Sequence, residues 1–255
     1  MAHTWDPATY LEYGDERARP FVDLVARIGA TAPRTVVDLG CGPGNLTALL
    51  KRRWPAADVV GVDSSAEMVA AADPGSGVTM VVGDLRGWTP EAPVDVLVSN
   101  AALQWVPGHL ELLPRLVEQV APGGWFAFQV PGNFTAPSHA LRHELEQDAR
   151  FAPYLEGVSG PAAHDPDLYL EALLGLGCKV DAWETTYLHV LPGEDPVFAW
   201  VVGTGARPTL EALPDGVRRE FERELREALR RAYPATPHGT VLAFRRVFVV
   251  ARPAG

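Results

Sequence analysis

The sequence predicts an α/β fold, a Rossmann-like sheet of mainly parallel strands flanked by helices, and three observations carry that prediction. A β-branched run, Thr35-Val36-Val37, stops at glycines 40, 42 and 44 and passes directly into an apolar pattern of helical spacing. Further short apolar runs follow at intervals that each leave room for a helix, and the second and third of them end in acidic residues, Asp63 and Asp84. Parallel strands need such helical crossovers, and ligands of open α/β sheets bind beyond the carboxyl ends of the strands.

Each element follows from local chemistry. Asp6 to Tyr13 and Pro20 to Ile28 predict two helices, the second with Phe21, Leu24, Val25 and Ile28 on one face, and residues 1–30 are expected to form an N-terminal helical lid. Thr35-Val36-Val37 is the first strand, and Leu46 to Trp54 the helix after the glycine turn, with Leu46, Leu49 and Leu50 inward and Arg52 and Arg53 outward. Val59 to Asp63 is the second strand, Ser64 and Ser65 cap a helix that contains Met68, Val78 to Leu85 is the third strand, and Val94 to Asn100 the fourth. After an interruption at residues 101–107, Leu110 to Val120 is a helix closed by Ala121-Pro122-Gly123-Gly124, and Trp125 to Val130 is strand five. Cys178 to Leu191 and Leu242 to Ala251 supply two further strands. Residues 134–176 and 192–240 exceed what the sheet needs and are expected to form a mainly helical cap after strands five and six. Within the second, Val217, Phe221, Leu225 and Leu229 make one apolar stripe opposite alternating Arg and Glu.

Composition bounds the function. The 255 residues are 47% hydrophobic and 21% charged, an ordinary globular balance that fits one α/β domain with insertions. A net charge of −10 argues against nucleic acid and anionic membranes as partners. No apolar run is long enough to span a bilayer and the first residues lack a signal-peptide pattern, so the expected location is the cytoplasm. Two cysteines, Cys41 and Cys178, cannot build a disulfide framework. His139 and His143 have helical i,i+4 spacing but no nearby third ligand, so no metal is expected.

The glycine loop narrows the ligand. A dinucleotide fingerprint needs Gly-x-Gly-x-x-Gly, whereas Asn45 stands three residues after Gly42 and the third glycine comes early, at Gly44. Asp38, just ahead of the first glycine, is unsuited to a pyrophosphate and suited to a cationic group. S-adenosylmethionine carries an α-ammonium and a sulfonium. Asp63, about twenty residues beyond the loop, is placed to accept both ribose hydroxyls.

Asp38-Leu39-Gly40-x-Gly42-x-Gly44 resembles motif I of class I methyltransferases, whose seven-stranded sheet ends with an antiparallel strand. The likeness extends over nearly the whole chain. Trp5-Asp6-Pro7-x-x-Tyr10-Leu11, Asn100-Ala101-Ala102-Leu103-Gln104-Trp105, Trp183 to His189, Trp200 to Pro208 and Leu242 to Ala251 resemble the trans-aconitate 2-methyltransferase family. What the resemblance implies is methyl transfer from S-adenosylmethionine to one carboxylate of trans-aconitate. It gives as cofactor-binding positions Tyr10, Asp38, Gly40, Cys41, Gly42, Asn45, Asp63, Ser64, Met68, Asp84, Leu85, Asn100 and Leu103, with Asp84 accepting from the adenine amino group. Cys41 itself reads as a packing residue.

For the acid, Arg offers a planar fork that binds a carboxylate in two places, and Arg207, in a Gly-rich, Pro-terminated stretch, is the first candidate. Tyr187 and His189 share a strand face and can donate to carboxylate oxygens, Trp105 can wall the methyl-transfer site, and His109, Asn133 and Trp200 are further lining candidates. No catalytic base is required, because a carboxylate is ionised at neutral pH. The alternatives are a methyltransferase acting on another small acid or a phenol, and a non-catalytic S-adenosylmethionine-binding module.

Overall fold

Val36 to Leu39 and Val96 to Val98 are buried without alternation, as expected of strands covered on both faces. The computed structural model, which describes residues 14–254, pairs them side by side at the centre of a sheet. In chain order the elements are α1 (Gly14–Ala26), β1 (Thr35–Leu39), α2 (Thr47–Arg53), β2 (Asp58–Asp63), α3 (Ala66–Ala70), β3 (Thr79–Val82), β4 (Val94–Asn100), α4 (Leu113–Glu118), β5 (Val120–Pro131) and α5 (Pro137–Glu146). There follow α6 (Pro166–Gly175), β6 (Lys179–Leu191), α7 (Pro196–Val202), α8 (Arg207–Ala212), α9 (Asp215–Ala232), β7 (Ala235–Thr236) and β8 (Gly239–Arg252).

The sheet order is β3-β2-β1-β4-β5-β8-β6, and the two-residue β7 is an addition that hairpins onto β8. Strands β1 to β5 pair in parallel and β8 runs antiparallel to β5, so the expected class of sheet is present. Its order reverses between β1 and β4, which makes the carboxyl ends of those two strands a topological switch point.

The chain divides into two compact units: one of residues up to 131 with 163–185 and 246 onward, the other of 132–162 and 186–245. The first holds the sheet's main core, in which Leu39, Leu97, Leu103, Leu116, Phe126 and Phe128 are buried with Tyr169 and Leu173 of α6. Helix α6 therefore covers the sheet, and the first cap insertion is shorter than the expected 134–176. Its apolar face, Tyr169 and Leu173 at i,i+4, finds its partners there.

The expected lid is also revised. Helix α1 begins ahead of Pro20 and contains it, and Phe21, Leu24, Val25 and Ile28 are buried with the helix packed on β5. Arg53 donates to the carbonyls of Val25 and Ile28, each at 2.7 Å, and fixes the end of this helix to α2. It is part of the framework; Tyr10 and the rest of the proposed lid lie outside the described residues. Strand β3 stops at Val82, so Asp84 and Leu85 sit in the following loop. Strand β5 starts early, at Val120, and a register shift opposite Val94 to Val96 takes up the Pro-Gly-Gly segment expected to end a helix.

The second unit is mainly helical. In α9, Phe221, Leu225 and Leu229 are buried, while Glu222 pairs with Arg218 at 3.0 Å and Arg226 at 3.7 Å, as the sequence pattern predicts. Phe221 meets Phe151 edge to face, with centroids 5.1 Å apart. Among the described residues, no helix is long and apolar enough to cross a membrane and no group of three His, Cys, Asp or Glu is arranged to hold a metal ion.

Candidate active site at the switch point

The loop after β1 is built on left-handed glycines: Gly40, Gly42 and Gly44 have φ of 77°, 57° and 76°. A Cβ on Gly40 would lie 2.2 Å from the Ala102 Cβ, so the loop presses directly on the segment after β4. A Cβ on Gly42 would meet nothing within 4 Å, which leaves that side of the loop open to a ligand. Amides of Gly40 and Cys41 donate to Val62 O at 2.7 and 3.1 Å. Cys41 is a packing residue as expected: its Sγ lies 2.9 Å from where a Gly61 Cβ would be, and burial pushes the thiol up.

Asp63, at the tip of β2, accepts from Gly42 N at 2.8 Å through one oxygen and from Ser65 N at 2.9 Å through the other. It thus orders the loop, and each oxygen keeps a second lone pair. Ser65 alone caps α3, accepting from Met68 N at 3.1 Å; Ser64 is exposed and is not the cap. Met68 is buried and Asn45 exposed.

Asp38 is the most perturbed acid of the site. It is 2% exposed, and its Oδ2 accepts from the Thr47 hydroxyl at 2.7 Å while Oδ1 has no protein partner among the described residues. Burial raises its pKa from 3.8 to about 7, the Thr47 hydrogen bond opposes the rise, and the charge of Asp63 adds to it.

Beyond β3, Arg86 forks onto Asp84 and holds its carboxyl below the usual range. Arg115 of α4 pins this loop, donating to Trp88 O at 2.8 Å and to Leu85 O. Leu85 packs against the core. No local signal marked Arg115, which acts on a loop some thirty residues away.

At the end of β4, Asn100 Oδ1 accepts from Gln129 Nε2 at 2.7 Å, and Ala101 holds a φ of 52°, uncommon for a residue other than glycine. Leu103 is wholly buried in the core, Gln104 is 5% exposed, and Trp105 is half-buried, all three on one 3₁₀ turn. His109 anchors the end of this segment: its Nε2 accepts from the Tyr169 hydroxyl at 2.7 Å, and Tyr169 accepts from His164 N at 3.1 Å.

The sequence places this site among known proteins. A sequence model of the methyltransferase-domain family matches residues 10–164. A trans-aconitate 2-methyltransferase of Streptomyces avermitilis is 52% identical, with 97% of this chain and 96% of that protein covered. One of Mycobacterium tuberculosis is 48% identical, with 98% and 97% covered. The chain belongs to the trans-aconitate 2-methyltransferase family.

Solved structures agree on the fold. The YcgJ protein of Bacillus subtilis superposes with a TM-score of 0.61 at 12% identity, over 93% of this chain and 99% of that one. Geranyl diphosphate C-methyltransferase of Streptomyces coelicolor, solved with S-adenosyl-L-homocysteine, gives 0.54 at 16% identity over 100% and 92%.

For this methyltransferase, the remaining candidates lie in the second unit. Tyr187 and His189 stack with centroids 6.3 Å apart, and His189, 3% exposed, stacks on Trp200 at 5.0 Å. The structure thus brings three of the acid-binding candidates together. Arg207 is not in a loop: it opens α8, and its Nε donates to Glu211 at 2.6 Å. A free fork was expected there, but helical i,i+4 geometry supplies it with a carboxylate. Asn133 is 3% exposed, and neither its Oδ1 nor its Nδ2 has a protein partner among the described residues. A buried network that sequence did not reveal joins Arg142, Glu146 and Thr209, and burial next to Arg142 lowers the neighbouring His139 to about 4.

Proposed function

We propose that this protein transfers the methyl group of S-adenosylmethionine to a carboxylate of trans-aconitate, giving the monomethyl ester and S-adenosylhomocysteine. The observation that carries the cofactor is the partnerless, buried Oδ1 of Asp38 beside a glycine loop whose Gly42 side is open. A buried acceptor without a donor is a ligand contact in waiting. The residues fit the group: Asp38 for the α-ammonium, Asp63 for the ribose, and Asp84 with Leu85 for the adenine, with Gly40, Cys41, Gly42, Asn45, Ser64, Met68, Asn100 and Leu103 as the surrounding positions. The substrate rests on the near full-length similarity to trans-aconitate 2-methyltransferases.

When bound, the cofactor supplies an electrophilic methyl on a sulfonium. The protein's task is positioning, since the acid arrives ionised and needs no general base. Holding both reactants in line can lower the barrier by up to roughly 7–11 kcal/mol. The opposite charges of sulfonium and carboxylate diminish as the bond forms, so a water-poor environment favours the step. Asn133, Tyr187, His189, Trp200 and Arg207 are the proposed acid-binding residues, and Trp105 is proposed to wall the methyl-transfer position. Asn133 supports this reading most directly, because its two amide protons have no protein acceptor and a carboxylate provides one.

The test is incubation with methyl-labelled S-adenosylmethionine and a panel of tricarboxylates, followed by mild base. Base-labile label on trans-aconitate is expected; label on none of the acids refutes the substrate. Replacing Arg207 by Ala is expected to raise the KM for the acid and leave S-adenosylhomocysteine binding unchanged, and an unchanged KM removes Arg207 from the site.

A further inference from the structure

The segment after β4 contains a second buried acceptor that the reading above does not use. Gln104 is 5% exposed, its Nε2 donates to Ala101 O, and its Oε1 has no protein partner among the described residues. The bond to a carbonyl fixes which end of the amide is which: the nitrogen is taken, and the buried oxygen is the atom left over. Its backbone support is unusual too, because Ala101, which accepts from Gln104, is held at a φ of 52°. Strained non-glycine residues persist where surrounding structure enforces them.

The register of the sheet says which backbone lies near this segment. Asp38 pairs with Val98 across β1 and β4, Ser99 Oγ donates to Leu39 O at 2.9 Å, and Gly40 is in direct contact with Ala102. Asp38 lies two residues before Gly40 and Gln104 two residues after Ala102. Two buried oxygens without partners, Asp38 Oδ1 and Gln104 Oε1, therefore flank one backbone contact. Both need a hydrogen-bond donor.

An ionised tricarboxylate has no donor to give. The cofactor has three kinds: an adenine amino group, ribose hydroxyls and an α-ammonium. With the strands ordered β3-β2-β1-β4, the adenine position after β3 and the ribose position at the tip of β2 lie on the far side of β1 from β4. Only the amino-acid end reaches the gap between β1 and β4.

We propose that Gln104 Oε1 is a cofactor-binding group that accepts a hydrogen bond from the α-ammonium of S-adenosylmethionine, sharing that cation with Asp38. The assignment rests on the cofactor reading above. Ammonium hydrogen bonds to a buried, preset acceptor are charge-assisted, and their loss is felt in affinity. Gln104 fixes the direction of the amino-acid tail and so, through the chain between them, the position of the sulfonium.

Isothermal titration with two ligands tests this. S-adenosylhomocysteine carries the ammonium; 5′-methylthioadenosine keeps the adenine, ribose and sulfur but lacks the amino-acid end. Gln104→Met, which preserves length and removes the acceptor, is expected to weaken S-adenosylhomocysteine by about tenfold or more and to leave methylthioadenosine within about twofold. Gln104→Glu keeps an oxygen at the same reach, and is expected to retain the wild-type preference for S-adenosylhomocysteine even if Gln104→Met fails to fold. Unchanged S-adenosylhomocysteine binding in Gln104→Met overturns the proposal, as does an equal loss of both ligands or loss of the preference in Gln104→Glu. A wild-type protein that binds neither ligand overturns the cofactor reading itself.

Discussion

Replacing Asp38 by Asn isolates the electrostatic strain at the proposed cofactor site. In the ligand-free protein burial raises this carboxyl from 3.8 to about 7. Below pH 4 it is protonated in both the folded and unfolded chain and has no effect on the balance. Between about 4 and 7 the unfolded chain ionises it while the folded chain keeps the proton, so folding stability falls as pH rises, and the loss is complete above 7. At roughly 1.4 kcal/mol per pH unit, this shift corresponds to an upper limit of about 4 kcal/mol. Asn keeps the Thr47 hydrogen bond through its oxygen, and its unpaired amide adds an offset that does not change with pH. Urea unfolding of both proteins from pH 4.5 to 8.5, at ~0.5 intervals around the expected midpoint, gives the difference curve. The wild type is expected to lose stability relative to Asp38→Asn through this window. A difference independent of pH refutes the reasoning. Binding supplies the complement: the ammonium requires the ionised acid, so S-adenosylhomocysteine uptake near pH 6 is expected to release a proton in the wild type and none in the variant, measured calorimetrically in buffers of different ionisation heat.

Gly40→Ala places a Cβ 2.2 Å from Ala102 at a φ of 77°, and is expected to abolish cofactor binding or folding, whereas Gly42→Ala meets open space and is expected to cost about 1 kcal/mol of stability while weakening S-adenosylhomocysteine; melting curves and titration distinguish them. Arg115→Met frees the carbonyl of Leu85 and leaves that of Trp88 to Gln119 Nε2 at 3.2 Å, and is expected to weaken S-adenosylhomocysteine and methylthioadenosine together, because the loop is proposed to hold the adenine common to both; loss of only one would argue otherwise. Tyr169→Phe removes the hydroxyl that His109 Nε2 and His164 N share, and is expected to destabilise the protein by about 1–3 kcal/mol in denaturant unfolding. An unaltered midpoint would show that the network contributes nothing.

The sheet was legible in the sequence because its evidence is local. Val36-Val37, Val59 to Val62 and Val94 to Val98 are apolar runs bounded by turn residues, and the glycines after β1 announce a backbone that only they adopt. Boundaries moved where tertiary contacts overruled local chemistry. Pro20 reads as a helix start, but the four-residue apolar face beginning at Phe21 holds α1 on the sheet and the helix extends back past the proline. The Pro-Gly-Gly after Val120 reads as a stop, but pairing with Val94 draws it into a strand. The site was legible only as residue types. Arg207 reads as an open fork because its partner Glu211 becomes a neighbour only when residues 207–212 coil. Thr47, Arg115 and Tyr169 carry no motif, and the parts played by Gln104, in a stretch noted for resemblance, and by His109, a lining candidate, were not legible, since each acts on an atom brought to it by the fold.

Where polar groups are left unsatisfied is itself informative. Away from the switch point, two polar groups of the first unit show what full use looks like. Asp95, at the opposite end of β4 from Asn100, accepts from the amides of Arg34 and Thr35 at 2.6 and 3.2 Å, and its own amide donates to the Thr35 hydroxyl at 3.0 Å. His109 satisfies both ring nitrogens, at Val106 O and the Tyr169 hydroxyl. At the carboxyl ends of β1 and β4, within a few residues, stand a buried acid with a raised pKa, a second buried acceptor with no donor among the described residues, a left-handed alanine and a glycine whose Cβ position Ala102 occupies. A buried polar group without a partner costs about 1–3 kcal/mol, and the proposed α-ammonium between the two strands is expected to offset that cost at both acceptors. A ligand cation at this place, where strand order reverses, would satisfy both acceptors, and that is the proposed reason why the fold leaves them without donors.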